Sequence, residues 1–157
     1  MFRKKFGTIT ADVTEDEANL LRSVIGQYLD LLENDQPPGD PVMERLLPSA
    51  SLDDEEVDRK YRDLALNELQ NHKRSTANTA LQCLPHRGPW AQELGPEETE
   101  AWLVVLGDVR LAIGTRIGVT EELMSRPVDP EDPDEWPMAV LHYLGALQEN
   151  LVEALSD

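Results

Sequence analysis

The alternation of apolar and polar positions changes period at Thr14. Before it, Phe2, Phe6, Ile9, Ala11 and Val13 fall on one face of a β-hairpin if Gly7-Thr8 forms a two-residue type II′ turn, which takes glycine first. That turn sets Phe6 against Ile9, Lys4 against Ala11 and Phe2 against Val13, with Arg3 opposite Asp12 on the other face. An isolated hairpin is marginal in water, so this one is expected to lie on helices. After it, the period is helical. Thr14-Glu-Asp-Glu17 is a capping box, and Ala18, Leu21, Val24, Ile25, Tyr28 and Leu32 recur at helical spacing. Residues 34–39, with two prolines, end this helix. Asp40-Pro41 opens a short helix through Leu47, which Pro48 stops.

A further helix from about Asp54 is expected to carry Val57, Tyr61 and Leu64 inward. The stretch 66–84 has Leu69, Ala77, Ala80, Leu81 and Leu84 among scattered Asn and Thr, the pattern of a partly exposed helix. Whether the two segments join through Ala65 is open at this level. Residues 85–89 break the chain with two prolines.

The strongest pattern runs from Pro96 to Gly118. Proline stands at the start, Glu97 and Glu98 follow it, Arg116 lies in the last turn and Gly118 takes the C′ position. The residues between are apolar almost all round, the mark of a central, buried helix. Gly107, Arg110, Gly114 and Gly118 fall on one side, where glycine costs about 1 kcal/mol of helix propensity and permits close approach by a neighbouring helix. Residues 119–136 predict a loop with one helical turn after Thr120. Its core, 127–137, is acidic and proline-rich, hence extended and solvated. A final helix carries Val140, Leu141, Leu144, Leu147, Leu151 and Leu155 on one stripe. The expected fold is mainly α: an irregular helical bundle of five to six helices around a buried central helix, with an N-terminal β-hairpin. No repeat divides residues 1–157, so a single domain is expected.

Composition narrows the function classes. Thirty-one acids against 14 bases give a formal charge of −17, a field that repels nucleic acid and anionic membranes over most of the surface. No direct nucleic-acid binding is therefore expected, and no tight binding to duplex DNA. The main basic concentration, Arg59, Lys60 and Arg62 with His72-Lys73-Arg74, adjoins acids and lacks a reading helix or aromatic platform, so it reads as a solvated helix face. No apolar run is long enough to span a bilayer, and no apolar h-region follows the basic N-terminus. A cytoplasmic protein is expected.

One cysteine, Cys83, excludes an intramolecular disulfide and a multi-cysteine zinc site. Cys83-Leu-Pro-His86 offers two ligands at metal-like spacing, too few for a site, so neither a metal nor a cofactor is expected. Near a helix C-terminus the thiol is not activated, and it reads as structural and half-buried. The acidic loop lacks the glycine and spacing of an EF-hand. No phosphate-cradling glycine loop or nucleophile elbow is present. No catalytic residues can be named, and an enzyme ranks third among the functional readings. Asp108, Arg110 and Arg116 stand in the apolar helix either as an anion or partner site or as satisfied structural ion pairs. The second is favoured, because buried charges require partners. Asp108 and Arg110 are two apart and must pair with different elements.

The run Trp102-Leu103 … Leu106-Gly107-Asp108-Val109-Arg110-Leu111 … Gly114-Thr115-Arg116-Ile117-Gly118-Val119 resembles an actinobacterial family. So do the Phe-Arg hairpin, the acidic start of the first helix and the Leu-x-x-Leu-Gln-Glu-x-Leu-Val run ending at Val152. That family, of helical proteins of unknown function, includes the AosR oxidative-stress regulators, and the likeness covers nearly the whole chain. It implies a cytoplasmic regulator that works with the transcription machinery through a sigma factor or RNA polymerase and senses oxidant through thiols. On this reading Trp102, Asp108, Arg110 and Arg116 are candidates for partner contact and Cys83 is the redox candidate. A homodimer is compatible with it. With Cys83 as the one thiol, oxidation can modify that group alone or link two chains. The expected function is a non-enzymatic regulatory protein acting through protein–protein contacts. The alternative is a helical scaffold or adaptor unrelated to transcription.

Overall fold

The computed structural model of the chain describes residues 1–34, 36–47 and 56–157, with backbone only at 56–58. It is mainly α, with a small antiparallel sheet at the N-terminus. Strands β1 (Phe2–Lys5), β2 (Thr8–Val13) and β3 (Trp90–Leu94) lie in the order β1-β2-β3. The helices are α1 (Glu15–Glu33), α2 (Pro41–Leu46), α3 (Glu56–Cys83), α4 (Pro96–Ile117), α5 (Glu121–Ser125) and α6 (Trp136–Ser156), with a 3-10 turn over Pro133–Glu135. Helix α4 is central: it packs against α1, α2, α3, α6 and β3.

The hairpin forms, but its turn lies one residue earlier than the pattern predicts. Phe6 and Gly7 both have positive φ, as a type I′ turn requires. Phe2 therefore pairs with Ala11 and Arg3 with Thr10, in place of Val13 and Asp12. Moving the turn by one position changes the pairing by two residues, so Phe2, Ile9, Ala11 and Val13 keep their common buried face. Phe6, expected on that face, sits in the turn and is 98% exposed.

Strand β3 completes the sheet. Ile9 pairs with Leu94, Ala11 with Gln92 and Val13 with Trp90, so Trp90 and Leu94 join the buried face. There Trp90 stacks on Trp102 of α4 at 4.7 Å between ring centroids, and Phe2 meets Trp90 edge-on at 6.0 Å. The hairpin thus rests on α4 and also on α6, where Asn150 Oδ1 accepts from the Phe2 amide at 2.6 Å.

The capping box at Thr14 and Glu17 is present in both directions. Asp40 caps α2 as the sequence implies, accepting from the Met43 amide. The two segments expected between Asp54 and Leu84 are one helix, α3, continuous through Ala65. Its distal half packs, with Ala77 and Ala80 fully buried. Its proximal half does not: Tyr61 is 76% and Leu64 64% exposed, against the expectation that they face inward. Two apolar residues one turn apart signal a face but not that anything covers it. Pro48, the helix start at Asp54 and the Val57 side chain lie outside the described residues.

Helix α4 ends as predicted, with Gly118 left-handed at φ 66° and the Val119 amide donating to the Gly114 carbonyl. The turn after Thr120 is α5, capped by the Thr120 hydroxyl. In α6, Leu141, Leu144, Leu147 and Leu151 are buried, whereas Leu155 is exposed. No helix among the described residues is long and apolar enough to cross a membrane.

Candidate functional site

The polar residues of α4 project in different directions, and each meets a different neighbour. Asp108 faces α1 and α3. Its Oδ2 accepts from Lys73 Nζ at 2.8 Å and from the Tyr28 hydroxyl at 2.8 Å. Lys73 and Asp108 keep only 13% and 16% of their side-chain surface exposed. Burial raises the Tyr28 phenol well above its ordinary range, and the Asp108 carboxylate adds to the shift, so Tyr28 stays a donor. Lys73, grouped by sequence with a solvated basic face, is instead turned inward to complete this triad. That supports the structural reading of Asp108.

Arg110 faces α6, where its Nη1 donates to Gln148 Oε1 at 2.7 Å. The guanidinium lies flat on Gly145, where an added Cβ would stand 3.2 Å from Nη2. Gln148 in turn lies over Gly107, 3.1 Å from where a Cβ would be. Gly107 and Gly145 supply close approach between α4 and α6; of the other glycines expected to do so, Gly114 meets Val119 of the following segment and Gly118 has no neighbour among the described residues where a Cβ would stand. The Arg110 Nε is buried with no partner among the described residues. Arg116, at the end of α4, donates to Asp40 Oδ1 at 2.8 Å and ties the cap of α2 to α4. That guanidinium holds the Asp40 carboxyl below its ordinary range.

Trp102 is completely buried in the aromatic cluster with Trp90 and Phe2, so it presents no surface to a partner. The four partner-contact candidates therefore do not converge on one patch. Trp102 and Asp108 are bound into the packing of α4, whereas Arg116 and Arg110 line separate clefts.

Cys83, at the end of α3, is half-buried as expected. Its thiol donates toward the Thr79 carbonyl and toward Glu98 Oε2, which also accepts from Gln92. Burial pushes the thiol up to about 11 from its ordinary 9. The adjacent indole of Trp102 opposes the shift, and Glu98 reinforces it. Two decades of pKa leave roughly a hundredfold less thiolate at neutral pH. Iodoacetamide at pH 8 should accordingly alkylate Cys83 about a hundredfold more slowly than free cysteine, with the rate still climbing past pH 10. Alkylation at the free-cysteine rate would show that this environment opens in solution.

The open space beside Arg110 is a cleft of about 410 Å³ between α2, α4, α5 and α6. Arg45 of α2 lines it too. Sequence reading passes over Arg45, because only the packing of α2 on α4 brings it near a residue 65 positions later. No local signal could have found it.

The chain matches a family described as a domain of unknown function, DUF2017, over residues 1–155. It is 29% identical over 180 aligned positions to the putative oxidative stress regulator AosR of Mycobacterium leprae, covering 91% of this chain and 80% of that protein. It is 33% identical over 138 positions to the oxidative stress regulators AosR of Mycobacterium bovis and Mycobacterium tuberculosis, covering 76% of this chain. The chain spans 60% of the length of those two proteins. No solved structure matches it.

Proposed function

The chain belongs to the DUF2017 family, and we propose that it is a cytoplasmic regulator of the oxidative-stress response that acts through protein contacts and not through chemistry of its own. The observation that carries this reading is the relationship, over most of the chain, to proteins named oxidative stress regulators. The proposed partner is a sigma factor or RNA polymerase.

The setting of Cys83 supports action without a nucleophile. A half-buried thiol with a pKa near 11 is a poor nucleophile and a slow target for peroxide. Asp108 and Arg116 are already committed to ion pairs, which takes both away from acid–base work. In this reading oxidant enters the pathway through the partner, or through a slow link between two chains at Cys83.

Affinity capture with the full chain from cytosol of the producing cells tests it. A sigma factor or RNA polymerase should be recovered, by wild type and by Cys83→Ser alike. Recovery of neither overturns the transcriptional reading. Recovery lost in Cys83→Ser under reducing conditions overturns the passive role of the thiol.

A further inference from the structure

We propose that the cleft between α2, α4, α5 and α6 binds a small amphipathic anion. Its carboxylate or phosphate is held by Arg110 and Arg45, and its apolar body lies against Leu111, Val119, Met124 and Leu141. The proposal stands independently of the regulatory reading. The volume, about 410 Å³, falls within the usual range for small-molecule sites.

Charge selects the class of ligand. The chain has 31 acids and 14 bases, yet among the described residues two arginines line this cleft and no carboxylate does. One base of α3 and one of α4 have found acids, Lys73 with Asp108 and Arg116 with Asp40. Arg110 has only the neutral Gln148 oxygen, and its buried Nε has no partner. Arg45 makes no ion pair among the described residues. The acid nearest in kind, Glu149, lines a neighbouring cleft that shares Arg110 and Met124, and does not line this one. Two guanidiniums with no counter-ion among the described residues, set at an apolar wall, are a receptor for an oxyanion, which each can bind with charge-assisted hydrogen bonds.

Arg110 is also held in place before any ligand arrives. Arg110 is pressed onto the Gly145 backbone and fixed by Gln148. Arg45 rides on α2, whose first turn is fastened to α4 through Asp40 and Arg116. Little side-chain freedom at Arg110 remains to be lost on binding. Val119 and Met124, from the short segment after α4, close the apolar side.

Three probes of equal chain length separate the contributions: hexanoate, hexyl phosphate and the uncharged hexanamide. Each is titrated into the full chain and followed by amide NMR shifts and calorimetry. Both anions should saturate and should shift Leu111, Val119 and Met124, with hexanamide at least about tenfold weaker. The tighter anion identifies the head group. Arg45 is exposed, so Arg45→Gln should keep the wild-type melting temperature while weakening both anions about tenfold. Arg110→Gln should do the same to the anions and leave hexanamide unchanged. Hexanamide binding as tightly as the anions, affinity unchanged in Arg45→Gln, shifts confined to other elements, or no saturation by about 10 mM would each overturn the proposal.

Discussion

Asp108→Ala should bring the protein close to unfolding at room temperature. The substitution strips the counter-ion from Lys73 and the acceptor from the Tyr28 hydroxyl, and both groups are largely enclosed by α1, α3 and α4. Breaking a buried pair from one side costs about 3–5 kcal/mol, because the remaining charge stays buried and alone. A whole domain has roughly 5–15 kcal/mol to lose. Urea denaturation should show the fall directly. Replacing both partners at once, Asp108→Leu with Lys73→Met, should recover most of it, since no uncompensated charge then remains. A midpoint unchanged in Asp108→Ala would mean that the triad is open to water and would restore Asp108 as a surface candidate.

Trp102→Ala should cost a comparable amount for a different reason. Trp102, on α4, is wholly enclosed beneath the sheet, with Trp90 stacked on one face and Phe2 tilted against it at 6.1 Å. Removing a large core aromatic costs about 3–5 kcal/mol in lost burial and residual cavity. Here it also takes away the surface on which both β1 and β3 are seated. Loss of near-ultraviolet dichroism from the stacked indoles should accompany a large fall in melting temperature. Trp102→Phe should lose less of both. Trp102→Ala would also uncover Cys83, so its alkylation should accelerate relative to wild type. A melting temperature within a degree or two of wild type would count against the aromatic cluster as the seat of the sheet.

What could be read in the residues divides by range. The capping box of α1, the proline starts, the glycine end of α4 and the leucine stripe of α6 up to Leu151 are written in neighbours a few positions apart, and the structure carries each of them. Strand β3 is not written that way. Trp90-Ala-Gln-Glu-Leu94 turns only two apolar residues inward, and its middle inward position is Gln92, whose amide is satisfied by Trp90 and Glu98 rather than by burial among apolar groups. Its identity as a strand comes from β2, nearly 80 positions earlier. Tyr61 and Leu64 mislead for the mirror reason: a local stripe exists with no packed neighbour. At the candidate site, the need of Asp108 for a partner was legible from its apolar surroundings. Its partners Lys73 and Tyr28 were not, nor was the presence of Arg110 and Arg45 at one cleft. Those pairings are properties of helix packing and appear in no local window.

The bond from the Phe2 amide to Asn150 spans 148 positions, and the same hairpin needs β3 to complete its sheet. On a ribosome that emits roughly 5–20 residues each second, the hairpin emerges on the order of ten seconds before its last docking surface exists. During that interval Phe2, Ile9 and Val13 form an apolar strand pair with an unpaired edge, of the kind that joins other chains readily. Helices α1 and α3 can form in the meantime from local contacts, but β3, α4 and α6, on which the hairpin is seated, come later. The synthesis of this protein thus has a vulnerable period set by topology, and the availability of chaperones during translation should govern its yield more than the stability of the finished fold.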